Sequence, residues 1–157
     1  MKYIKLRHGL EAIVDDGDFD IVSCYTWHAY RARQTFYAST KVNGQTVYMH
    51  RMILGTPDGV ETDHIDGNGL NCTRQNMRIA TRAENSRNIG KRRNNTSGYK
   101  GVIFDKSRGR WAAQITVNYV MKNLGRYTDP IEAALAYDRA ARELHGQFAR
   151  TNFATDI

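Results

Sequence analysis

The chain has 157 residues, 41% of them hydrophobic, and a formal net charge of +7. That length builds one ordinary domain or two small ones. No apolar run approaches the roughly 18 residues of a membrane span, and the opening Met1-Lys2-Tyr3-Ile4-Lys5-Leu6-Arg7 alternates where a secretory signal would carry an apolar block. A soluble, cytoplasmic, non-secreted protein with no membrane partner is expected. Cys24 and Cys72 are the only cysteines and form no Cys-x-x-Cys pair, which argues against a structural zinc site and a disulfide framework. The charge is concentrated. From Ser86 to Trp111 there are eight Lys or Arg (Arg87, Lys91, Arg92, Arg93, Lys100, Lys106, Arg108, Arg110) against Asp105 alone, a surplus equal to that of the whole chain. A basic run of that kind suits a polyanion partner.

In chain order, residues 1 to 49 read as short strands with turns. Tyr3, Ile4 and Leu6 precede His8-Gly9, and Ala12-Ile13-Val14 stops at Asp15-Asp16-Gly17-Asp18. Tyr37 to Val42 and Thr46 to Met49 flank Asn43-Gly44, the strongest short hairpin signal in the chain. Trp27, Tyr30, Phe36 and Tyr37 read as cover for the core of a small antiparallel sheet, with base stacking as the alternative. His50 to Gly55 reads as a helical turn, with His50 a structural histidine or a ligand and Arg51 a candidate phosphate contact. Val60 to Ile65 has strand character and is broken by Asp66-Gly67-Asn68-Gly69. Met77 to Thr81 alternates as a second strand. Thr81 and Glu84 have the spacing of a capping box that starts a helix at Arg82, on which Asn85 and Asn88 share a face.

Asn94 to Gly98 is polar and unpatterned, and the domain junction is placed there: residues 1 to 93, then 94 to 157. Tyr99 to Phe104, Trp111 to Val117 and Lys122 to Tyr127 read as three strands, with a turn at Ser107-Arg108-Gly109. Asp129, Pro130 and Glu132 then start a helix. Ile131, Leu135, Tyr137, Ala141 and Leu144 give it an apolar face, and Gly146 ends it. The fold class is α+β: a small antiparallel sheet leads into a strand-loop-strand-helix unit, and a three-stranded antiparallel sheet packed on one helix follows.

The chemistry gathers in Thr62-Asp63-His64-Ile65-Asp66-Gly67-Asn68 and the residues after it. Phosphodiester hydrolysis needs a base for the attacking water and a charge to stabilise the phosphate and the leaving oxygen. A histidine near its ordinary pKa supplies the first, and a hard divalent ion on a carboxylate and a neutral oxygen supplies the second. Asp63, His64 and Asn85 are the right types, and Asn76 is placed to pin the loop or orient the imidazole. Adjacent strand residues point to opposite faces, so Asp63 and His64 serve one site only where the strand bends or ends.

Asp63-His64, Asn76 twelve positions after His64, Asn85 nine further on, and Asn76-Met77-Arg78 together resemble an HNH endonuclease of the phage-associated, homing kind, over residues 45 to 90. The resemblance implies a ββα-metal fold around one divalent ion, Mg or Mn, and no structural zinc. It implies His64 as general base, Asn76 as the central, catalytic-motif Asn, and Asp63 and Asn85 as metal ligands, with Asn88 the substitute for Asn85. Asparagine at the third position matches the asparagine-bearing branch, some members of which nick one strand. A bacterial or phage-infected cell is the implied setting.

Tyr99-Lys100-Gly101-Val102, Trp111 to Ile115, Leu124 to Tyr127, Glu132 to Ala141 and Gly146 to Phe153 are similar to the DNA-binding domain of plant ethylene-response factors. That resemblance implies a sheet laid in the major groove of double-stranded DNA, a groove that admits β structure. Ile103 stands where the plant domains usually have Arg and Asn123 where they usually have Trp, so DNA binding is implied without the plant target sequence. Lys100, Arg108, Arg110, Trp111, Gln114, Lys122 and Arg126 are the candidate contacts on the domain, and Arg87, Lys91, Arg92 and Arg93 those before it. The expected protein is a monomeric, metal-dependent DNA endonuclease. The rivals are a DNA-binding regulator with an inactive nuclease unit and an RNA-processing nuclease.

Overall fold

A computed structural model describes residues 1–32 and 35–154. The chain forms two compact units, Met1–Asn85 and Ser86–Ile157.

In the first unit β1 (Lys2–Lys5) pairs antiparallel with β2 (Glu11–Val14). A short helix α1 (Phe19–Ser23) follows, then β3 (His28–Arg31), β4 (Phe36–Val42) and β5 (Gln45–Tyr48) in the order 3-4-5. The β4–β5 hairpin turns at Asn43 and Gly44, both at positive φ (48° and 80°), the geometry that an Asn-Gly pair tolerates best. Helix α2 (Met49–Leu54) ends on Gly55 in the left-handed region. Strands β6 (Glu61–His64) and β7 (Met77–Ala80) then form a separate two-stranded sheet, followed by α3 (Arg82–Asn88).

One core serves all of this. Ile4, Val14 and Trp27 from the leader are buried with Met49, Leu70 and Met77 from the segments around the polar cluster. Leader and cluster therefore fold as a single body. The aromatics expected to cover that core divide: Trp27 is buried and donates Nε1 to the Val22 carbonyl at 2.8 Å, whereas Tyr30 and Phe36 are exposed and Tyr37 turns toward the histidines described below.

In the second unit β8 (Val102–Asp105), β9 (Arg110–Val117) and β10 (Val120–Tyr127) form an antiparallel sheet with β9 central. Helix α4 (Pro130–His145) lies across it. The Asp129 side chain accepts from Ile131 N, and Pro130 occupies the first turn. Ile131 does not join the apolar face and is 46% exposed; Tyr137 and Ala141 are buried as expected, and Ala133, Ala134 and Ala136 join them. Small side chains bring the helix close to the sheet. So does Gly101, where a Cβ would stand 2.0 Å from the Tyr137 ring. The buried Asp138 carboxylate accepts the backbone N–H groups of Asn152 and Phe153, and the Asn152 side chain bonds both backbone groups of Lys100. This latch ties the end of the chain to the start of the sheet. The segment before it is also built: Asn95 Oδ1 accepts Gly98 N at 2.7 Å and its Nδ2 donates to the Tyr99 carbonyl.

Candidate active site

Strands β6 and β7 set Asp63 directly opposite Arg78 and His64 opposite Met77. The Arg78 guanidinium donates Nε (2.8 Å) and Nη2 (2.5 Å) to Asp63 Oδ2. Asp63 is 2% exposed, so this is a buried ion pair, and removing Arg78 is expected to cost about 3–5 kcal/mol.

His64 ends β6. Its carbonyl accepts Gly67 N, which starts the turn at the left-handed Gly67. The imidazole is buried within an aromatic group drawn from β4, β5 and α2. The His50 ring meets it edge-on at 5.1 Å and 88°, and Tyr37 lies tilted at 5.7 Å. Tyr48 stacks on His50 at 15°. Gly69 makes room for this arrangement, since a Cβ there would sit 2.4 Å from the Tyr37 ring. Burial lowers the pKa of His64, with Asp66 and Asp63 pulling the other way. Burial, with His64 beside it, lowers His50 to about 3. Both imidazoles are neutral at pH 7, the state in which a histidine accepts a proton. Burial and the Glu61 and Asp63 carboxylates raise Tyr37, which keeps its hydroxyl protonated.

Asn76 clamps the loop between the strands. Its Oδ1 accepts Asp66 N at 3.0 Å, and its Nδ2 donates to Asp66 Oδ1 and to the Asn71 carbonyl. Asp66 also accepts from Asn71 and Asn68, and although burial pushes its pKa up, these bonds bring it below the usual carboxylate range. The loop is tied to β2 through Ile13, whose N–H and C=O bond Leu70 and Cys72. Burial pushes the Cys72 thiol up to about 12.

Asn85 is delivered by α3. The capping box forms as expected: Thr81 N donates to Glu84 Oε2 at 2.8 Å and Glu84 N to Thr81 Oγ1 at 3.2 Å. One turn in, Asn85 Nδ2 donates to Glu61 Oε2 at 2.6 Å. Glu61 and Asp63 are two apart on β6 and share a face, so Asn85 reaches the face that carries Asp63. Asn88, also on α3, is buried. Arg51 is engaged in the fold: its guanidinium donates to the carbonyls of Val60, Thr56 and Pro57. The sequence alone assigns no role in the site to Arg78, Glu61, Tyr37 or Gly69; Arg78 enters only as part of the Asn76-Met77-Arg78 motif, Tyr37 as core cover or a stacking surface, and Gly69 as a strand breaker. The first two were accessible to sequence reasoning, Arg78 from the hairpin register opposite Asp63 and Glu61 from its i−2 position.

In the second unit the open face of the sheet carries Ile103, Arg110, Ala112, Gln114, Asn123 and Arg126, as the register of β8, β9 and β10 dictates. Asp105 accepts from Ser107 Oγ (2.7 Å), Arg126 Nε (3.0 Å) and Arg108 Nη1 (3.2 Å), which hold its carboxyl well below the usual range. Lys122 pairs with the buried Ile115, which puts it on the helix side of the sheet at the rim. Trp111 packs into the core cluster with Val102 and Ala113. Lys100 turns inward and donates Nζ to the Arg87 carbonyl at 2.6 Å; burial, then the Arg150 charge, lowers it to about 8. Lys91 donates to the Gly98 carbonyl, and Lys91, Arg92 and Arg93 are exposed.

Known proteins agree with this division. The family profile described as HNH endonuclease matches residues 47–87, and the AP2 domain profile matches residues 97–147. An uncharacterized HNH endonuclease of Acanthamoeba polyphaga mimivirus is 30% identical over 150 residues, covering 92% of this chain and 75% of that protein. The chain belongs to the HNH endonuclease family. It is also 44% identical to Protein 3.8 of Escherichia phage T7 over 94 residues, 60% of this chain and 77% of that one. Its C-terminal part is 37% identical over 75 residues to an AP2/ERF and B3 domain-containing transcription repressor of Arabidopsis thaliana, 48% of this chain but 20% of that protein. No solved structure matches. This HNH protein therefore joins a nuclease unit to an AP2-type DNA-binding domain. Among the described residues no helix is long and apolar enough to cross a membrane.

Proposed function

We propose that this chain is a metal-dependent endonuclease of the homing type, which hydrolyses phosphodiester bonds in duplex DNA and acts as a monomer. The observation that carries the reading is the setting of His64: a buried imidazole kept neutral by burial, next in sequence to a buried aspartate ion-paired with Arg78. In the proposed division of labour His64 takes the proton from the attacking water at a ring nitrogen. Asp63 and Asn85 hold the divalent ion, Mg or Mn. Asn76 keeps the 65–71 loop in register beneath His64, so its contribution to catalysis is to position. His50, neutral and edge-on, limits the rotation of the His64 ring.

The donor types suit such an ion, which would share Asp63 with the Arg78 guanidinium. One carboxylate and one amide carbonyl are hard oxygen donors, and Mg²⁺ typically takes only one or two protein carboxylates together with water and substrate phosphate. Bound there, the ion supplies Lewis-acid stabilisation of the phosphate and the leaving oxygen. The AP2-type unit brings the duplex: Arg110, Gln114 and Arg126 on the open face of the sheet are proposed for the major groove, and Arg92 and Arg93 for phosphates. Ile103 and Asn123 on that face leave the target sequence distinct from that of the plant domains.

Conversion of supercoiled plasmid to nicked or linear form, with Mg²⁺ or Mn²⁺, tests the reading. Wild type is expected to cut, and His64→Ala to lose cleavage by about 10²–10⁴-fold while DNA affinity holds within a factor of about three. Binding without cleavage by wild type would sink the nuclease reading in favour of a regulator.

A further inference from the structure

An asparagine offers a metal ion only its carbonyl oxygen, because the amide nitrogen carries protons and has no available lone pair. Rotating the last side-chain torsion by half a turn exchanges the two ends within nearly the same volume. A site that uses Asn85 therefore needs something to choose between its two orientations. Burial alone cannot choose, and α3 is a short helix whose backbone is indifferent to the choice.

The chooser is on β6. Glu61 Oε2 accepts Asn85 Nδ2 at 2.6 Å, a short, charge-assisted bond. An ionised carboxylate has no proton to donate, so it admits the nitrogen end and repels the oxygen end. Glu61 sits two residues before Asp63 on the same face of β6 and pairs with Ala80, the last residue of β7 before the helix begins. The capping box between Thr81 and Glu84 and the bond from Asn85 N to the Thr81 carbonyl hold that corner. The strand that presents Asp63 thus also fixes the orientation of the Asn85 amide.

We propose that Glu61 is a positioning residue that fixes the amide of Asn85 with its carbonyl oxygen toward the metal. This rests on the reading of Asn85 as a ligand. Partners that orient a ligand typically contribute ten- to a hundred-fold in metal affinity.

The test is calorimetric titration of Mn²⁺ into the full chain without DNA, for wild type, Asn85→Ala, Glu61→Gln and Glu61→Asp, each first shown to melt cooperatively. Glutamine keeps the reach but carries a donor as well as an acceptor, so it admits either end of Asn85; aspartate keeps the charge but loses the reach. Both are expected to bind Mn²⁺ about ten- to a hundred-fold more weakly than wild type, with no further loss when either is combined with Asn85→Ala. If Glu61→Gln binds like wild type, the carboxylate does not choose the orientation; if it weakens binding further in the Asn85→Ala background, Glu61 holds the ion directly. Either result overturns the positioning role. If Asn85→Ala binds Mn²⁺ as wild type does, the ligand reading itself fails and takes this inference with it. Loss in Asn85→Ala with no loss in Glu61→Asp overturns the inference alone.

Discussion

The two units place their polar chemistry in opposite ways. In the nuclease unit the polar cluster is inside: Asp63, His64 and His50 are buried, each held by a neighbour from a different element. In the AP2-type unit the exposed groups are the ones suited to DNA, while its buried polar groups, such as Asp138, are structural. Chemistry needs a base and a ligand set held in one geometry before substrate arrives. Grip on a polyanion needs exposed, mobile positive charge. The difference teaches that damage to the first unit should alter rate and acid stability, and damage to the second should alter affinity and its salt dependence.

The largest effect is expected where the surface-binding unit is itself tightly packed. Gly101 has φ +75° and faces the Tyr137 ring. Gly101→Ala imposes backbone strain and a clash together, a cost of about 2–5 kcal/mol. Thermal unfolding followed at Trp111, in a Trp27→Phe background, should show the AP2-type unit melting far earlier. A melt unchanged within a few degrees would mean that the helix has room to retreat.

Next comes the acid sensitivity of the nuclease unit. His50 has an ordinary pKa of 6.5 when unfolded and about 3 when folded. Between those values the unfolded chain binds the extra proton, so the stability from a neutral His50 is full above pH 6.5 and is lost as pH falls below it. His64 is lowered as well and acts with the same sign. Between pH 6 and 5, above the carboxylate range, His50→Gln should flatten the dependence by up to about 1.4 kcal/mol per pH unit. Urea unfolding read at Trp27 in a Trp111→Phe background measures it. Parallel slopes for the variant and its parent would show that His50 does not resist protonation.

The sequence foretold the parts of this fold that local chemistry decides. Asn43-Gly44 made its hairpin, Thr81 and Glu84 capped α3, and Asp129-Pro130 opened α4. The α+β class followed from such signals, whereas the HNH and AP2-type assignments came from the resemblance of whole motifs to known families. What stayed hidden depends on partners distant in sequence. Strand β3 is too short and too exposed to show a period. The β9–β10 turn uses Asn118 and Tyr119, both at positive φ, and a tyrosine there, 95% exposed, is no turn signal. Ile131 fits a helical stripe but lies outside the arc that the sheet covers. In the site, residue type and the HNH resemblance picked out Asp63, His64, Asn76 and Asn85, but the Tyr37 ring over His64 depends on the bare backbone of Gly69, 32 residues away in sequence.

The smallest expected effect is also the cleanest division between the units. Arg92 and Arg93 are exposed, and Lys91 already donates to the Gly98 carbonyl. Replacing all three with Ala should lower the slope of log affinity against log salt by about 0.9 for each phosphate contact removed, with most of the change recovered in the Arg92/Arg93 double variant. Lys100→Ala should leave the slope alone, because its ammonium is directed at the Arg87 carbonyl. At saturating DNA the triple variant should cut at nearly the wild-type rate, since the role proposed for Lys91, Arg92 and Arg93 is in binding. An unchanged slope would remove the linker from the DNA interface. A reduced cutting rate at saturation would instead show that these charges set the register of the scissile phosphate, joining the two kinds of chemistry that the fold keeps in separate units.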